Sequence, residues 1–288
     1  MTDRLLICTD LDRTLIPNGP QSESPTGRRH FGAIATRAEV MLTYVTGRHR
    51  ALVEQAITFY QLPQPDYVIG DVGTTIYEIG PRHEWIRQEQ WETEIAKDWG
   101  GRRHADIKSL LIDMPGLRLQ ESTKQNDYKV SYYVPLHIDR QSLSKLIEAR
   151  LGQHDVAARL IWSVDEPAGI GLLDVLPARA SKFHAIQALM KMHGFDETNT
   201  VFCGDSGNDI EVLASPIPAV LVANSQTQVR EMASMLAAET GHPERLYIAQ
   251  GGFKGLNGNY SGGMLEGIAH FYPDVVEWMA FEDDGGKP

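Results

Sequence analysis

Nowhere in the 288 residues do about 18 apolar residues run together, so no segment reads as a membrane-spanning helix. The first apolar run begins only after Asp3 and Arg4 and stops at Asp10, too short for a secretory leader, and the expected compartment is the cytoplasm. Cysteine is scarce. Cys8 and Cys203 each sit in an apolar run just ahead of an aspartate and read as buried thiols, and no His-rich or Cys-rich spacing suited to zinc occurs. Positive charge is also in deficit, 27 Lys and Arg against 38 Asp and Glu, for a net charge of −11. Such a surface is wrong for gripping nucleic acid or an anionic membrane over a broad area. An anionic substrate would need a local cluster of cations or a metal.

What is present is the composition of a soluble globular protein, 42% hydrophobic and 23% charged, long enough for one large domain or for one carrying a second inside it. Residues 4–9 (RLLICT), 40–45 (VMLTYV) and 66–69 (DYVI) read as buried strands, and helical spacing over 51–59 separates the second from the third. This is the alternation of a parallel sheet covered by helices. The connection 17–30, rich in Pro, Gly and Ser, reads as exposed and mobile.

From 81 to 177 the rhythm changes. A helical stretch at 88–113, interrupted at Gly100-Gly101, precedes strands at 117–121 and 127–134; a helix at 139–151 precedes strands at 158–164 and 170–176. Within the second of these strands Tyr128, Val130, Tyr132 and Val134 alternate with Lys129, Ser131 and Tyr133, as in an antiparallel sheet with one wet face. After Pro177 the first rhythm resumes with a helix at 181–193 ended by Gly194, a strand at 200–203, a short helix after Asn208 and a strand at 219–222. The glycine-rich stretch 250–263 reads as a flexible surface connection, and the tail 282–288 is expected to fray. The fold class so read is α/β: a Rossmann-like parallel-sheet core made of 1–80 and 178–288, with an α+β (αββαββ) module at 81–177 inserted in it.

The chemistry gathers at strand ends, where open parallel sheets bind ligands. Asp10 and Asp12, separated by one residue, follow the first strand; two carboxylates so close repel each other and need a cation. Thr46-Gly47-Arg48 ends the second strand at a helix start, where a hydroxyl and free N–H groups make a small anion site, although alone it is an ordinary cap. The 200–203 strand ends in Gly204-Asp205-Ser206-Gly207-Asn208-Asp209, again with two carboxylates. Such an oxygen-rich set suits Mg²⁺. Lys182, singly a solvated lysine, becomes beside these the counter-charge for a phosphate. Cys8 and Cys203 each precede one of these aspartates by two residues, so on neighbouring strands they are expected at equal depth on one face, as adjacent thiols.

In order and spacing these four motifs resemble those of the haloacid dehalogenase superfamily of phosphohydrolases: Asp10, Asp12 and Thr14 of D-x-D-x-T, then Thr46, then Lys182, then Gly204 through Asp209. The inserted αββαββ module resembles that superfamily's C2-type cap. A closer resemblance is to the sucrose-phosphate phosphatase family, carried by Val72-Gly73-Thr74, Lys129-Val130-Ser131-Tyr132, Asp174-Val175-Leu176-Pro177, Asn224-Ser225-Gln226 and residues 265–271 (LEGIAHF). Leu172-Leu173-Asp174 departs from that family's D-x-D.

The resemblance implies an Mg²⁺-dependent hydrolase of a sugar phosphate monoester, foremost sucrose 6-phosphate, acting through an aspartyl-phosphate on Asp10 with Asp12 as acid and base. It places the metal at Asp10, Asp12, Asp205 and Asp209, and the phosphate at Thr46, Gly47, Lys182 and Asn208. For the sugar, the face carrying Lys129, Ser131 and Tyr133 is a candidate surface, opposed by Arg48, Thr74 and Thr75. Open alternatives are a phosphatase of another glycoside phosphate such as mannosylfructose phosphate, a phosphomutase sharing the first half-reaction, and a phospho-sugar binding protein without turnover. The expected partner is a small-molecule sugar phosphate, with no nucleic acid and no membrane.

Overall fold

In the computed structural model, which describes residues 2–165 and 168–281, the apolar run at the N-terminus forms β1 (Leu5–Thr9), buried at every position. There follow α1 (Gly27–Ala35), β2 (Val40–Val45), α2 (Arg50–Tyr60), β3 (Tyr67–Gly70), β4 (Thr75–Ile79) and β5 (Trp85–Arg87). The chain then builds α3 (Glu89–Ala96), α4 (His104–Leu110), β6 (Arg118–Leu119), β7 (Val130–Val134), α5 (Arg140–Gly152), β8 (Ala158–Asp165) and β9 (Ile170–Pro177). It returns through α6 (Lys182–His193), β10 (Thr200–Gly204), α7 (Ile210–Leu213), β11 (Ala219–Leu221), α8 (Thr227–Glu239), β12 (Leu246–Ile248) and α9 (Ser261–Phe271). None of the described helices is long and apolar enough to cross a membrane. The tail expected to fray lies outside the described residues.

Eight strands form one sheet in the order β12-β11-β10-β1-β2-β3-β4-β5, parallel from β12 to β3 and antiparallel beyond. The chain leaves β1 toward β2 and resumes on its other side at β10, so the carboxyl ends of β1 and β10 flank a topological switch point. Both faces are covered, which explains why these strands are continuous apolar runs. Leu5 and Ile7 enter a layer with Phe31, Met264 and Leu265, whereas Leu6 and Cys8 enter one with Ile186 and Leu189. The second, antiparallel sheet has the order β6-β7-β9-β8; Val130, Tyr132, Leu173 and Val175 pack on one face with Ile107 of α4 and Leu143 and Ile147 of α5.

Several expectations change. Cys8 stands opposite Phe202, and Cys203 opposite Thr9, so the two strands are neighbours but offset by one residue. Because side chains alternate with period two, that single step sends the thiols to opposite faces of the sheet. The large sheet takes in β5, because 85–87 pair with β4, so the chain leaves it beyond the boundary placed at residue 80. As the interruption at Gly100-Gly101 implied, the helical stretch 88–113 is two helices, parted where Gly100 and Gly101 adopt φ of 58° and 80°, conformations that glycine enters without steric cost.

The face of β7 expected to be wet is covered. Lys129 and Ser131 are buried, Lys129 reaching the Asp71 carboxylate and Ser131 the Asp174 carboxylate on β9, so pairing replaces hydration. The two connections expected to be loose pin each other. Asn257 donates its backbone N–H to Ser24 Oγ at 2.9 Å and its side-chain amide to the Ser22 carbonyl at 2.9 Å. The buried Glu266 accepts from the backbone N–H groups of Gln250 and Gly251, both at 2.8 Å. Part of the 17–30 segment is the start of α1, whose Phe31 and Ile34 are buried and which packs on α9.

Candidate active site

β1 is followed by Asp10 and Leu11; the leucine is fully buried and anchors the turn, while the Leu11 N–H donates to Asp10 Oδ1 at 2.7 Å. Alongside, β10 ends in Gly204, where a Cβ would lie 2.6 Å from Asp209 Oδ2; only glycine lets that carboxylate fold back under the strand end. The N–H groups of Asp205 and Ser206 then donate to it at 3.1 and 3.0 Å. Asp10, Asp205 and Asp209 are all buried, with carboxylate oxygens within 4.8 Å of one another.

Into this cluster α6 delivers its first residue. Ser181 caps the helix, its hydroxyl accepting from the His184 N–H at 3.2 Å, and directs Lys182 inward, where its Nζ lies 3.1 Å from Asp10 Oδ2, 2.6 Å from Asp209 Oδ1 and 3.2 Å from Asn208 Oδ1. On the other side Thr14 donates to Asp205 Oδ1 at 3.3 Å, and Arg13 Nε is 3.6 Å from Asp205 Oδ2. Burial, with the neighbouring carboxylates adding to it and Lys182 opposing it, pushes Asp10 up to about 8. Burial and Asp209 push Asp205 up to about 7. Burial alone would lower the Lys182 ammonium's pKa, but the adjacent Asp10 and Asp209 carry it well above its usual value.

Three crowded carboxylates whose ionisation is this costly form an all-oxygen donor set suited to a hard divalent cation. The Asp12 side chain turns away from them. Burial raises it, yet two hydrogen bonds and the charge of Arg48, with Asn18, hold it below its usual value. Arg48 Nε and Nη2 donate to its two oxygens at 2.7 and 2.6 Å, and Asn18 Nδ2 donates at 2.7 Å.

Thr46 is buried just past the end of β2, its Oγ1 accepting from the Arg48 N–H at 3.2 Å, and Gly47 follows, where a Cβ would lie 3.8 Å from Val72 Cγ2. Over them lies the corner between β3 and β4. Asp71 and Val72 both hold left-handed conformations, with φ of 51° and 61°, costly for a β-branched residue and sustained by N–H bonds to the carbonyls of Arg48 and Thr46. Gly73 comes so close to the start of α6 that a Cβ would lie 2.4 Å from the Ser181 carbonyl carbon.

Of the residues expected to face a sugar, Arg48 is therefore engaged by Asp12, and Lys129 donates to Asp71 Oδ1 at 2.6 Å. Thr74 donates to the Asp71 carbonyl and accepts from Asn126 at 2.8 Å, while the buried Thr75 hydroxyl makes no hydrogen bond among the described residues. Tyr133, half-buried, donates to Glu121 away from the cluster. Sequence reasoning missed Asp71, although the strand-end rule that marked Asp10 and Asp205, applied to the third strand, points to it. It also missed Arg159 and Glu211, which have no such signal. A cavity of about 350 Å³ opens from Lys182 and Asn208 toward these two.

A family model described as sucrose-6F-phosphate phosphohydrolase matches residues 3–272. A HAD-like hydrolase of Nitrosococcus oceani is 51% identical over 279 residues, which cover 97% of this chain and 75% of that protein. Sucrose-phosphatase 1 of Nicotiana tabacum is 28% identical over 93% of this chain, which spans only 59% of the tobacco protein's length. A mannosylfructose-phosphate phosphatase of Agrobacterium fabrum is 29% identical, with 79% of this chain and 86% of that protein covered. Among solved structures, the sucrose-phosphatase of a Synechocystis species, in complex with sucrose and phosphate, superposes with a TM-score of 0.71 at 24% identity, covering 93% of this chain and 98% of the other. A haloacid dehalogenase-like hydrolase from Bacillus subtilis follows at 0.64 and 14% identity, covering 94% and 93%. These superpositions establish the fold.

Proposed function

The chain belongs to the sucrose-6F-phosphate phosphohydrolase family, and on that premise we propose that it is an Mg²⁺-dependent phosphatase of a disaccharide phosphate, foremost sucrose 6-phosphate, releasing sucrose and inorganic phosphate. The observation that carries the reading is the convergence of Asp10, Asp205 and Asp209 around Lys182 at the mouth of β1 and β10. In the first step an Asp10 oxygen attacks phosphorus, the bond from phosphorus to the sugar oxygen breaks, and the Asp12 carboxyl gives its proton to that oxygen. Arg48 must release Asp12 before this transfer. In the second, Asp12 takes a proton from water, whose oxygen attacks phosphorus; phosphate leaves and the Asp10 carboxylate is restored.

Thr46, the Gly47 N–H, Lys182 and Asn208 hold the nonbridging oxygens as charge spreads over them. The residues that would hold Mg²⁺ are Asp10, Asp205, the Asp12 carbonyl and Asp209, and the ion supplies the positive charge that lets an anionic nucleophile meet an anionic phosphoryl group. On this reading the small sheet is a cap over the core, its closure excluding water from the first step.

Phosphate release tests this reading, with sucrose 6-phosphate, mannosylfructose phosphate and hexose phosphates compared in Mg²⁺ and in chelator. Mg²⁺-dependent turnover favouring sucrose 6-phosphate is expected. Preference for mannosylfructose phosphate, which the Agrobacterium relative's name favours, would reassign the sugar, and no turnover at all would overturn the phosphatase.

A further inference from the structure

Arg159, on β8 of the small sheet, and Glu211, on α7 two residues after Asp209, meet across the cavity that leads away from Lys182 and Asn208. Their contact is bidentate: Nη1 donates to Oε2 at 2.6 Å and Nη2 to Oε1 at 3.0 Å, while Nε is spent on the Ala178 carbonyl at 3.2 Å. Both side chains are about one-third exposed, so the pair is neither sealed in the core nor free in solvent. We infer that this ion pair is the specificity-determining element for the leaving group, reading neighbouring hydroxyls of a polyhydroxylated alcohol such as a glycosyl unit.

The pair keeps unspent hydrogen-bonding valence. A guanidinium carries five N–H donors and three are used here, leaving one on each Nη; each Glu211 oxygen keeps a further lone pair, Oε1 having His184 Nδ1 as a more distant neighbour at 3.7 Å. Donors and acceptors thus stand side by side in a fixed plane, the complement of adjacent hydroxyls, each of which both donates and accepts. Val72, Ile161 and Ile210 line the same cavity and offer apolar surface to the C–H face of a ring. A phosphate held at Lys182 and Asn208 directs the rest of its ester past the pair. The inference rests on the phosphatase reading.

The test compares kcat/KM for sucrose 6-phosphate with that for p-nitrophenyl phosphate, which has no hydroxyls to read, in the wild type, Arg159→Ala, the near-isosteric Glu211→Gln and the exchanged pair Arg159→Glu with Glu211→Arg. The ratio of the two values is expected to fall roughly 10- to 100-fold in each single variant, through KM, as charged hydrogen bonds are lost. The exchanged pair, which keeps the attraction but moves donors and acceptors to the wrong sides, is expected not to recover it. An unchanged ratio in the single variants, or full recovery in the exchanged pair, would make the contact a mere tie between the two sheets and overturn the inference. A wild type that hydrolyses neither ester would overturn the phosphatase reading itself, and with it this one.

Discussion

Lys182 Nζ stands 3.1 Å from Asp10 Oδ2, both side chains buried, so the ammonium is a built-in counter-charge to the proposed nucleophile. Lys182→Met would leave three converging carboxylates without it. Removing one partner of a buried charge group costs about 3–5 kcal/mol, and losing one electrostatic contact to the phosphoryl group lowers kcat by roughly 10²–10³. Chemical denaturation in chelator and phosphate-release kinetics in Mg²⁺ measure the two effects.

Asp10→Asn is expected to abolish turnover while raising the thermal midpoint of the metal-free protein above about pH 8, where Asp10 would otherwise be ionised beside Asp205 and Asp209. Calorimetry in chelator checks the second half of the statement. A lowered midpoint would mean that the Asp10 contact with Lys182 outweighs the repulsion.

The same crowding sets a pH dependence. Asp10 at about 8 and Asp205 at about 7 both lie above the ordinary 3.8, so between those values the native state binds more protons than the unfolded one. Stability then falls as pH rises, the reverse of an ordinary salt-bridged carboxylate. In chelator this cluster's contribution should decline progressively from about pH 4 to pH 8, and saturating Mg²⁺ should remove the decline. Denaturant midpoints across that range give the slope.

Gly73→Ala places a methyl group against the Ser181 carbonyl in a backbone with φ of 95°. Strain at such a position costs about 1–3 kcal/mol, and relief requires the start of α6 to shift, carrying Lys182 with it. Loss of stability accompanied by a fall in kcat is expected, whereas a purely local effect would lower stability alone.

Lys129→Met leaves the buried Asp71 carboxylate unpaired, at a cost of about 3–5 kcal/mol. Adding Asp71→Leu should recover much of that stability, because two apolar residues replace the pair. A double-mutant cycle by denaturation reads the coupling, and additive losses would contradict it.

How much of this was legible follows from where the physics is local. A buried apolar run followed by an acid marks β1 and β10 with their carboxylates, and Gly194 marks the end of α6. Register is not local. Nothing between Cys8 and Cys203 tells the chain to pair Thr9 with Cys203, so the faces of the two thiols could not be read, and neither could the meeting of Lys129 with Asp71. The β4–β5 extension escaped because its short strands carry weak periodicity and depend on pairing with β3, whereas α1, though amphipathic, begins inside the Pro-, Gly- and Ser-rich stretch and was masked by it.

The place of β1 in the large sheet has a consequence for how the protein is made. One flank of β1 is satisfied early, when Leu5 meets Val40, but the other waits for Thr200 and its neighbours. During synthesis a strand that is buried at every position in the finished fold therefore presents open backbone donors and acceptors while the small sheet is being translated, the interval of greatest exposure to wrong pairing and to chaperones.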